Sequence, residues 1–281
     1  MKLFKKIDEV RRQVEEWRAE GLTVGLVPTM GYLHEGHASL IRAAARENDR
    51  VAVSVFVNPT QFGPTEDLAR YPRDIERDKA VCAANGAHLI FNPEPEEMYP
   101  GGFCCYIDMS DGPKEGLCGA SRPVHFSGVC TVVAKLLNIV LPDRAYFGQK
   151  DAQQLAVVRR MVSDLNIPVE IVGCPIVREE DGLAMSSRNR YLNGDERRAA
   201  LCLSRGLEAG RLLIEAGETA PEAVIAAVRG HIEAEPLARI DYTAVVHPGT
   251  VRPLSVIEGP VMCAVAVYIG ATRLIDNFII E

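Results

Sequence analysis

The sequence lacks the residue patterns that mark metal sites, membrane spans and nucleic-acid surfaces. Its eight cysteines (Cys82, Cys104, Cys105, Cys118, Cys130, Cys174, Cys202 and Cys263) include no C-x-x-C pair, and no Cys/His spacing suits zinc. In an intracellular chain of this size they are expected as small buried apolar residues, not as disulfides. A redox role for the adjacent Cys104 and Cys105 is the alternative. No run of eighteen apolar residues occurs, so no membrane-spanning helix is expected. There is no Lys/Arg block, and 31 basic residues stand against 38 acidic ones, a formal net charge of −7. That balance argues against broad nucleic-acid binding. It leaves an anionic nucleotide open, because local cations decide such binding. The N-terminal stretch MKLFKKIDEVRRQVEEWRAEG places Leu3, Ile7, Val10, Val14 and Trp17 at helical spacing among charges, which does not read as a secretory leader. There is no internal repeat and no low-complexity segment. A cytoplasmic protein is expected.

What is present is a foldable core: 281 residues, 47% hydrophobic and 25% charged. The first part alternates strand and helix. Apolar, β-branched runs at 22–29, 50–57, 87–91, 144–148 and 168–174 read as strands, with 103–109 as a further one. Helical patterns fall at 34–48, 71–85, 127–141 and 151–165. Repeated units of this kind predict a parallel, Rossmann-like doubly wound sheet covered by helices. The pattern changes after about residue 176. A long helix over 193–217 is followed by a second to about 234, with Thr219 and Glu222 at capping-box spacing and Pro221 in the first turn. Strand-like runs at 238–247, 261–270 and 272–280 close the chain. The expected organisation is an α/β domain over 1–176 and a smaller α+β domain over 177–281.

Chemistry-bearing residues cluster in four segments. PTMGYLHEGH (28–37) lies where a first strand turns into a first helix, a place where helix N-terminal amides meet phosphate. It is not a Walker A loop, because His37 stands where Lys is needed. His34 and His37, three apart, share one helical face. They can donate hydrogen bonds to phosphate oxygens that gain charge during in-line displacement; a pair of surface histidines is the alternative. FVNPTQFGP (56–64) follows the carboxyl end of a strand, and Asn58 and Gln61 suit a polar organic substrate, although Asn-Pro and Gly-Pro explain a turn unaided. In FGQKDAQQ (147–154), Lys150 at a helix N-terminus opposes the macrodipole, which makes sense if an anion is shared there. Asp151 there suits an N-cap. MSSRNR (185–190) offers two hydroxyls and Arg188, either an anion-binding set or a polar loop between domains.

Taken together in this order, PTMGYLHEGH, FVNPTQFGP, FGQKDAQQL and MSSRNRYL resemble the pantoate–β-alanine ligase family over nearly the whole chain. H-x-G-H at 34–37 also resembles the signature of the wider nucleotidylyltransferase superfamily, and MSSR its second phosphate-binding signature, though no Lys directly precedes Met185. The resemblance implies an ATP- and Mg²⁺-dependent ligase. It would form an acyl adenylate from (R)-pantoate, releasing pyrophosphate, and pass the acyl group to β-alanine, releasing AMP. It implies catalytic roles for His37, His34, Lys150 and Arg188. The implied ATP set is Met30, Gly31, His34, Gly36, His37, Gly148, Gln149, Lys150, Asp151, Val177, Met185, Ser186, Ser187 and Arg188. Gln61, Gln154, Asn58 and Arg122 would hold pantoate, with Gln61 also beside the β-alanine path. The second domain would act as a lid, and the implied assembly is a homodimer with small-molecule partners only. Carboxylates of the 66–78 stretch (Glu66, Asp67, Asp74, Asp78) are candidate Mg²⁺ ligands, although Mg²⁺ usually keeps waters and substrate phosphates. One departure is Ala152, where Tyr often follows the Lys-Asp pair; an effect on packing alone is expected. Two rival readings are another adenylate-forming enzyme on the same scaffold and a non-catalytic nucleotide sensor.

Overall fold

The computed structural model describes residues 1–64 and 66–281. In chain order the elements are β1 (Lys2–Phe4), α1 (Ile7–Ala19), β2 (Val24–Thr29), α2 (Glu35–Glu47), β3 (Arg50–Val55), α3 (Ile75–Ala84), β4 (Leu89–Phe91), α4 (Pro95–Met98), α5 (Leu117–Ser121), α6 (His125–Val140), β5 (Arg144–Gly148), α7 (Ala152–Asp164) and β6 (Glu170–Cys174). Then follow α8 (Gly194–Ala199), α9 (Leu201–Glu215), α10 (Pro221–Glu233), β7 (Ala238–Val246), β8 (Val261–Ile269) and β9 (Thr272–Ile280).

The chain divides into two compact units. The first comprises Met1–Ser110, Arg122–Gln149 and Val157–Pro175; the second comprises Asp111–Ser121, Lys150–Ala156 and Ile176–Glu281. The first unit holds a six-stranded sheet in the order β1-β4-β3-β2-β5-β6, with every pair parallel. Strands such as Val51–Val55 are buried along their length, as expected for a sheet flanked by helices. The strand order reverses between β2 and β5, and ligands of open α/β sheets bind beyond the carboxyl ends at such a point. The two predicted phosphate segments begin at the ends of these two strands. In the second unit β7-β8-β9 form an antiparallel sheet, and α9 and α10 pack with it around Leu203, Leu207, Val228, Ile232, Val265 and Val267. Ala152 is buried with Ala156, Val246, Val251, Met262 and Ala264.

Four expectations need correction. Lys2–Phe4 is a strand paired with Leu89–Phe91, and the first helix begins only at Ile7. Residues 103–109 join no sheet among the described residues; both sides of β4 are taken by β1 and β3, and the Ile107 N–H donates to Thr131 Oγ1 instead. The long helix breaks at Ala200 into α8 and α9. No capping box operates at α10: Ala220 is its N-cap, while Glu218 Oε1 accepts from the Thr219 and Ala220 N–H groups. All eight cysteines are free thiols; six are buried, and Cys104 and Cys105 are exposed. Burial pushes the Cys263 thiol up to about 12 and the Cys202 thiol up to about 11. No helix among the described residues is long and apolar enough to cross a membrane.

Candidate active site

The turn after β2 is built around a buried carboxylate. Asp78, 1% exposed on α3, accepts the N–H groups of Tyr32 (3.0 Å) and Leu33 (2.7 Å). Burial raises the Asp78 carboxyl above its ordinary value, and the two backbone amides oppose that rise without cancelling it. Gly31 has φ +83°, and a Cβ there would meet Asp78 Oδ2 and Val55 Cγ1, each at 2.9 Å, so glycine is required on both counts. Thr29 Oγ1 donates to Ser54 O (2.6 Å) and accepts the Gly31 N–H (3.1 Å). Tyr32 sits at φ 52° under the Arg77 guanidinium. This turn delivers the chain to α2.

His34 is the N-cap of α2, and its Nδ1 accepts the Gly36 N–H at 3.1 Å. His37 returns the bond, its Nδ1 accepting the His34 N–H at 3.3 Å. The two rings lie 4.1 Å apart and half-buried. Because both Nδ1 atoms act as acceptors, each neutral ring carries its proton on Nε2. The pair is thus a double N–H donor at the head of a helix, as suits a phosphate.

The Asn58–Gln61 segment forms a 3-10 turn after β3, and both side chains are buried. Asn58 Nδ2 donates to Gln61 Oε1 (3.0 Å), and Gln61 Nε2 donates to Met30 Sδ (3.1 Å), which brings two predicted pantoate contacts beside a predicted ATP contact. Arg122 is engaged by Glu66 through Nε (2.6 Å) and Nη2 (2.7 Å), with a longer bond to Gln61 O. Burial alone would raise the Glu66 carboxyl; the Arg122 hydrogen bonds and charge more than reverse it, leaving the group below its ordinary value. Gly148 and Gln149 close β5 on the same unit.

The second unit carries Lys150, Asp151, Gln154, Val177 and Met185–Arg188. Lys150 and Asp151 lie in a 3-10 turn ahead of α7, so Asp151 is part of that turn and Ala152 opens the helix. The Lys150 carbonyl accepts from Asn277 Nδ2 on β9 (3.0 Å). Next to Asn277, the buried Asp276 takes both Arg178 Nη1 (2.7 Å) and Nη2 (3.0 Å). Arg178 lies in the hairpin where Met185 N–H donates to Val177 O (3.0 Å). One chain of bonds therefore ties Lys150 to the strand pair carrying Val177 and Met185. Ser186 caps the following 3-10 turn, its Oγ accepting the Arg188 N–H. Gln153, 6% exposed, pins Asp111–Ser121: Oε1 accepts the Cys118 N–H (2.9 Å), while Nε2 donates to the carbonyls of Pro113 (3.0 Å), Glu115 (3.3 Å) and Gly116 (3.2 Å).

The sequence reading missed Gln153, Arg178, Asp276 and Asn277. Asp78, a candidate Mg²⁺ ligand from the sequence, instead supports the turn after β2. The signal for its supporting role is that it shares a buried helical face with Cys82, four residues on. No group of three or more His, Cys, Asp or Glu suited to a metal occurs among the described residues.

The pantoate-β-alanine ligase family model matches residues 2–279. The chain is 60% identical over 278 residues to a protein of Ruminiclostridium cellulolyticum named pantothenate synthetase, covering 99% of this chain and 98% of that protein. It is 57% identical over 281 residues to the protein of that name from Enterococcus faecalis, covering 100% and 99%. The crystal structure of pantothenate synthetase from Thermus thermophilus matches with a TM-score of 0.93 at 49% identity, over 99% of each chain. That of pantoate-β-alanine ligase from Francisella tularensis, complexed with β,γ-ATP and β-alanine, matches with a TM-score of 0.80 at 34% identity, over 99% of this chain and 97% of that one.

Proposed function

The chain belongs to the pantoate-β-alanine ligase family, and from that membership we propose how its own residues divide the work. The protein is an ATP-dependent ligase that condenses pantoate with β-alanine in pantothenate biosynthesis. A carboxylate is a poor acyl donor because oxide is a poor leaving group. Adenylation of the pantoate carboxylate at the ATP α-phosphorus, with release of pyrophosphate, replaces that leaving group with AMP. The β-alanine amine then attacks the carbonyl and expels AMP.

The observation that carries the assignment is the donor pair His34 and His37, with both Nδ1 atoms occupied by backbone N–H groups. Their Nε2–H groups would stabilise charge that grows on the α-phosphate oxygens, the kind of pre-aimed stabilisation that lowers such barriers most. Met30, Gly31 and Gly36 belong to the same nucleotide-binding junction, and Gly148, Gln149 and Asp151 serve the nucleoside. Val177 and Met185 serve the adenine end, while Lys150, Ser186, Ser187 and Arg188 hold the β- and γ-phosphates. Gln61, Gln154 and Asn58 bind pantoate, and Gln61 also serves β-alanine. Arg122 acts one step back, through Glu66 and the Gln61 carbonyl.

Three of the four candidate Mg²⁺ carboxylates have identified partners: Glu66 pairs with Arg122, Asp74 accepts the Arg77 N–H and Asp78 holds the turn after β2. With those carboxylates engaged and no group of three or more ligands among the described residues, Mg²⁺ would arrive with the ATP phosphates. Homodimeric assembly and a cytoplasmic location are part of the same proposal, the second supported by the family's biosynthetic role; sedimentation velocity tests the first.

The deciding experiment is pantoate-dependent ATP–pyrophosphate exchange without β-alanine. Exchange that requires (R)-pantoate and Mg²⁺ is expected, with AMP released once β-alanine is added. A folded, ATP-binding protein that gives no exchange with pantoate would overturn the adenylate route.

A further inference from the structure

Gln61 is an amide, and an amide can meet a ligand with either its carbonyl or its NH2 group. Which one it presents is settled by a chain of contacts that begins at a backbone carbonyl. The Gly128 carbonyl on α6 accepts from Asn58 at 3.1 Å. A carbonyl can only accept, so the Asn58 atom facing it must be Nδ2. Asn58 Nδ2 also donates to Gln61 at 3.0 Å, so the Gln61 atom facing it must be Oε1. The Gln61 carbonyl is thereby used within the protein, and its NH2 group is the end left for a substrate acceptor. One hydrogen of that group points at Met30 Sδ, a weak acceptor.

The other side of Asn58 is closed consistently. Its Oδ1 receives the Tyr99 hydroxyl at 2.6 Å and the Thr60 hydroxyl at 3.0 Å, so both hydroxyls must donate. Burial raises the Tyr99 phenol above its ordinary value, which keeps it protonated as a donor. Its ring is held edge-on to Phe103 at 5.0 Å, with the Lys135 ammonium over both rings. The close approach of α6 depends on glycine: a Cβ at Gly128 would lie 2.5 Å from Thr60 O and 2.6 Å from Gln61 N and Cα. The Gln61 backbone is fixed as well, its carbonyl accepting from His125 Nδ1 at 3.1 Å.

We propose that Tyr99, Thr60 and Gly128 are positioning residues that lock Gln61 as a hydrogen-bond donor, so that it selects an acceptor oxygen of pantoate, a carboxylate or hydroxyl lone pair. The substrate half of this statement rests on the assignment of Gln61 to pantoate above. The lock itself does not.

Two measurements separate the halves. The first follows side-chain amide hydrogen exchange by NMR, with Gln61 and Asn58 identified by signal loss in Gln61→Ala and Asn58→Ala. Tyr99→Phe/Thr60→Val, which keeps the shape and removes both hydroxyls, is expected to speed exchange of both amides at least about tenfold. Unchanged exchange in the folded double variant overturns the lock. The second is steady-state kinetics. The same double variant is expected to raise the pantoate KM about tenfold with the ATP KM moved less than about twofold, the worth of one oriented hydrogen bond. In a Gln61→Ala background the added effect is expected to shrink below about twofold, because the residues act through Gln61. An equal multiplicative loss in both backgrounds, or a parallel rise in both KM values, would show a general structural effect and overturn the positioning role. A Gln61→Ala variant with an unaltered pantoate KM sinks the substrate assignment, while the exchange result still judges the lock.

Discussion

After β2 a carboxylate holds the turn: Asp78 accepts two backbone N–H groups and gives nothing back. After β5 carboxamides do the holding: Asn277 donates to the Lys150 carbonyl, and Gln153 both accepts from Cys118 and donates to three carbonyls. The difference follows from what each backbone needs. The first turn presents only donors, so an acceptor-only group satisfies it with strong charge-assisted bonds. After β5 the turn presents the Lys150 carbonyl, which the Asn277 NH2 group meets, while the 113–118 segment presents one N–H and three carbonyls, which the two ends of the Gln153 amide serve together. The carboxylate carries the larger desolvation cost, because its charge is buried; the amides are buried without a charge.

The largest expected effects test whether both junctions serve the chemistry. Lys150→Ala is expected to lose roughly 3 kcal/mol or more of transition-state stabilisation in kcat/KM, the scale of a lost electrostatic donor. His37→Ala is expected to lower kcat strongly with no loss of fold. A Lys150→Ala loss under about 1 kcal/mol, the worth of an exposed ion pair, would leave the second junction structural only. The next test is stability. Asp78→Ala strands two N–H groups in the interior and is expected to cost about 3 kcal/mol in urea unfolding. Gln153→Ala should cost less, about 1–2 kcal/mol, because it strands one N–H group, that of Cys118, and carbonyls lacking a donor are tolerated better than stranded N–H groups. Equal losses would break the comparison.

The smallest effect is the most discriminating. Because the Asp78 carboxyl is raised, the native state binds its proton more tightly than the unfolded chain does. Its contribution to stability is therefore full below the ordinary carboxylate value and falls as pH rises through the raised native value. The stability difference between the wild type and Asp78→Asn should slope with pH across that window, whereas the difference for Gln153→Ala should be flat. Glu66, lowered by Arg122, should slope the other way, with stability present above the ordinary value and lost as pH falls through the lowered one. Urea unfolding over a pH series reads all three.

Much of the fold was legible because long elements carry their own period. The strand at 144–148 and the helix at 151–165 sit within a residue of the observed bounds. The errors fall where a local pattern lacks its partner. FCCYIDM has strand-like residues but pairs with no strand among the described residues, whereas Lys2–Phe4 is a strand because β4, 87 residues on in register, pairs with it. The chemistry segments were visible because each packs its reactive groups within ten residues. Their supports were not. Arg178 meets Asp276 98 residues away, and Asn58 meets Tyr99 41 away, and no spacing rule connects such pairs.

Asn277 grips position 150 by its main-chain oxygen, not by the side chain. The grip is thus a socket, indifferent to what is mounted in it. In a background with the exposed Cys104 and Cys105 replaced by Ser, Lys150→Cys would seat in the same place, and alkylation of that thiol with an aminoethyl group would rebuild an ammonium there from outside. Recovery of turnover on alkylation would make this position a handle for installing synthetic cations of chosen length and charge in an otherwise native enzyme.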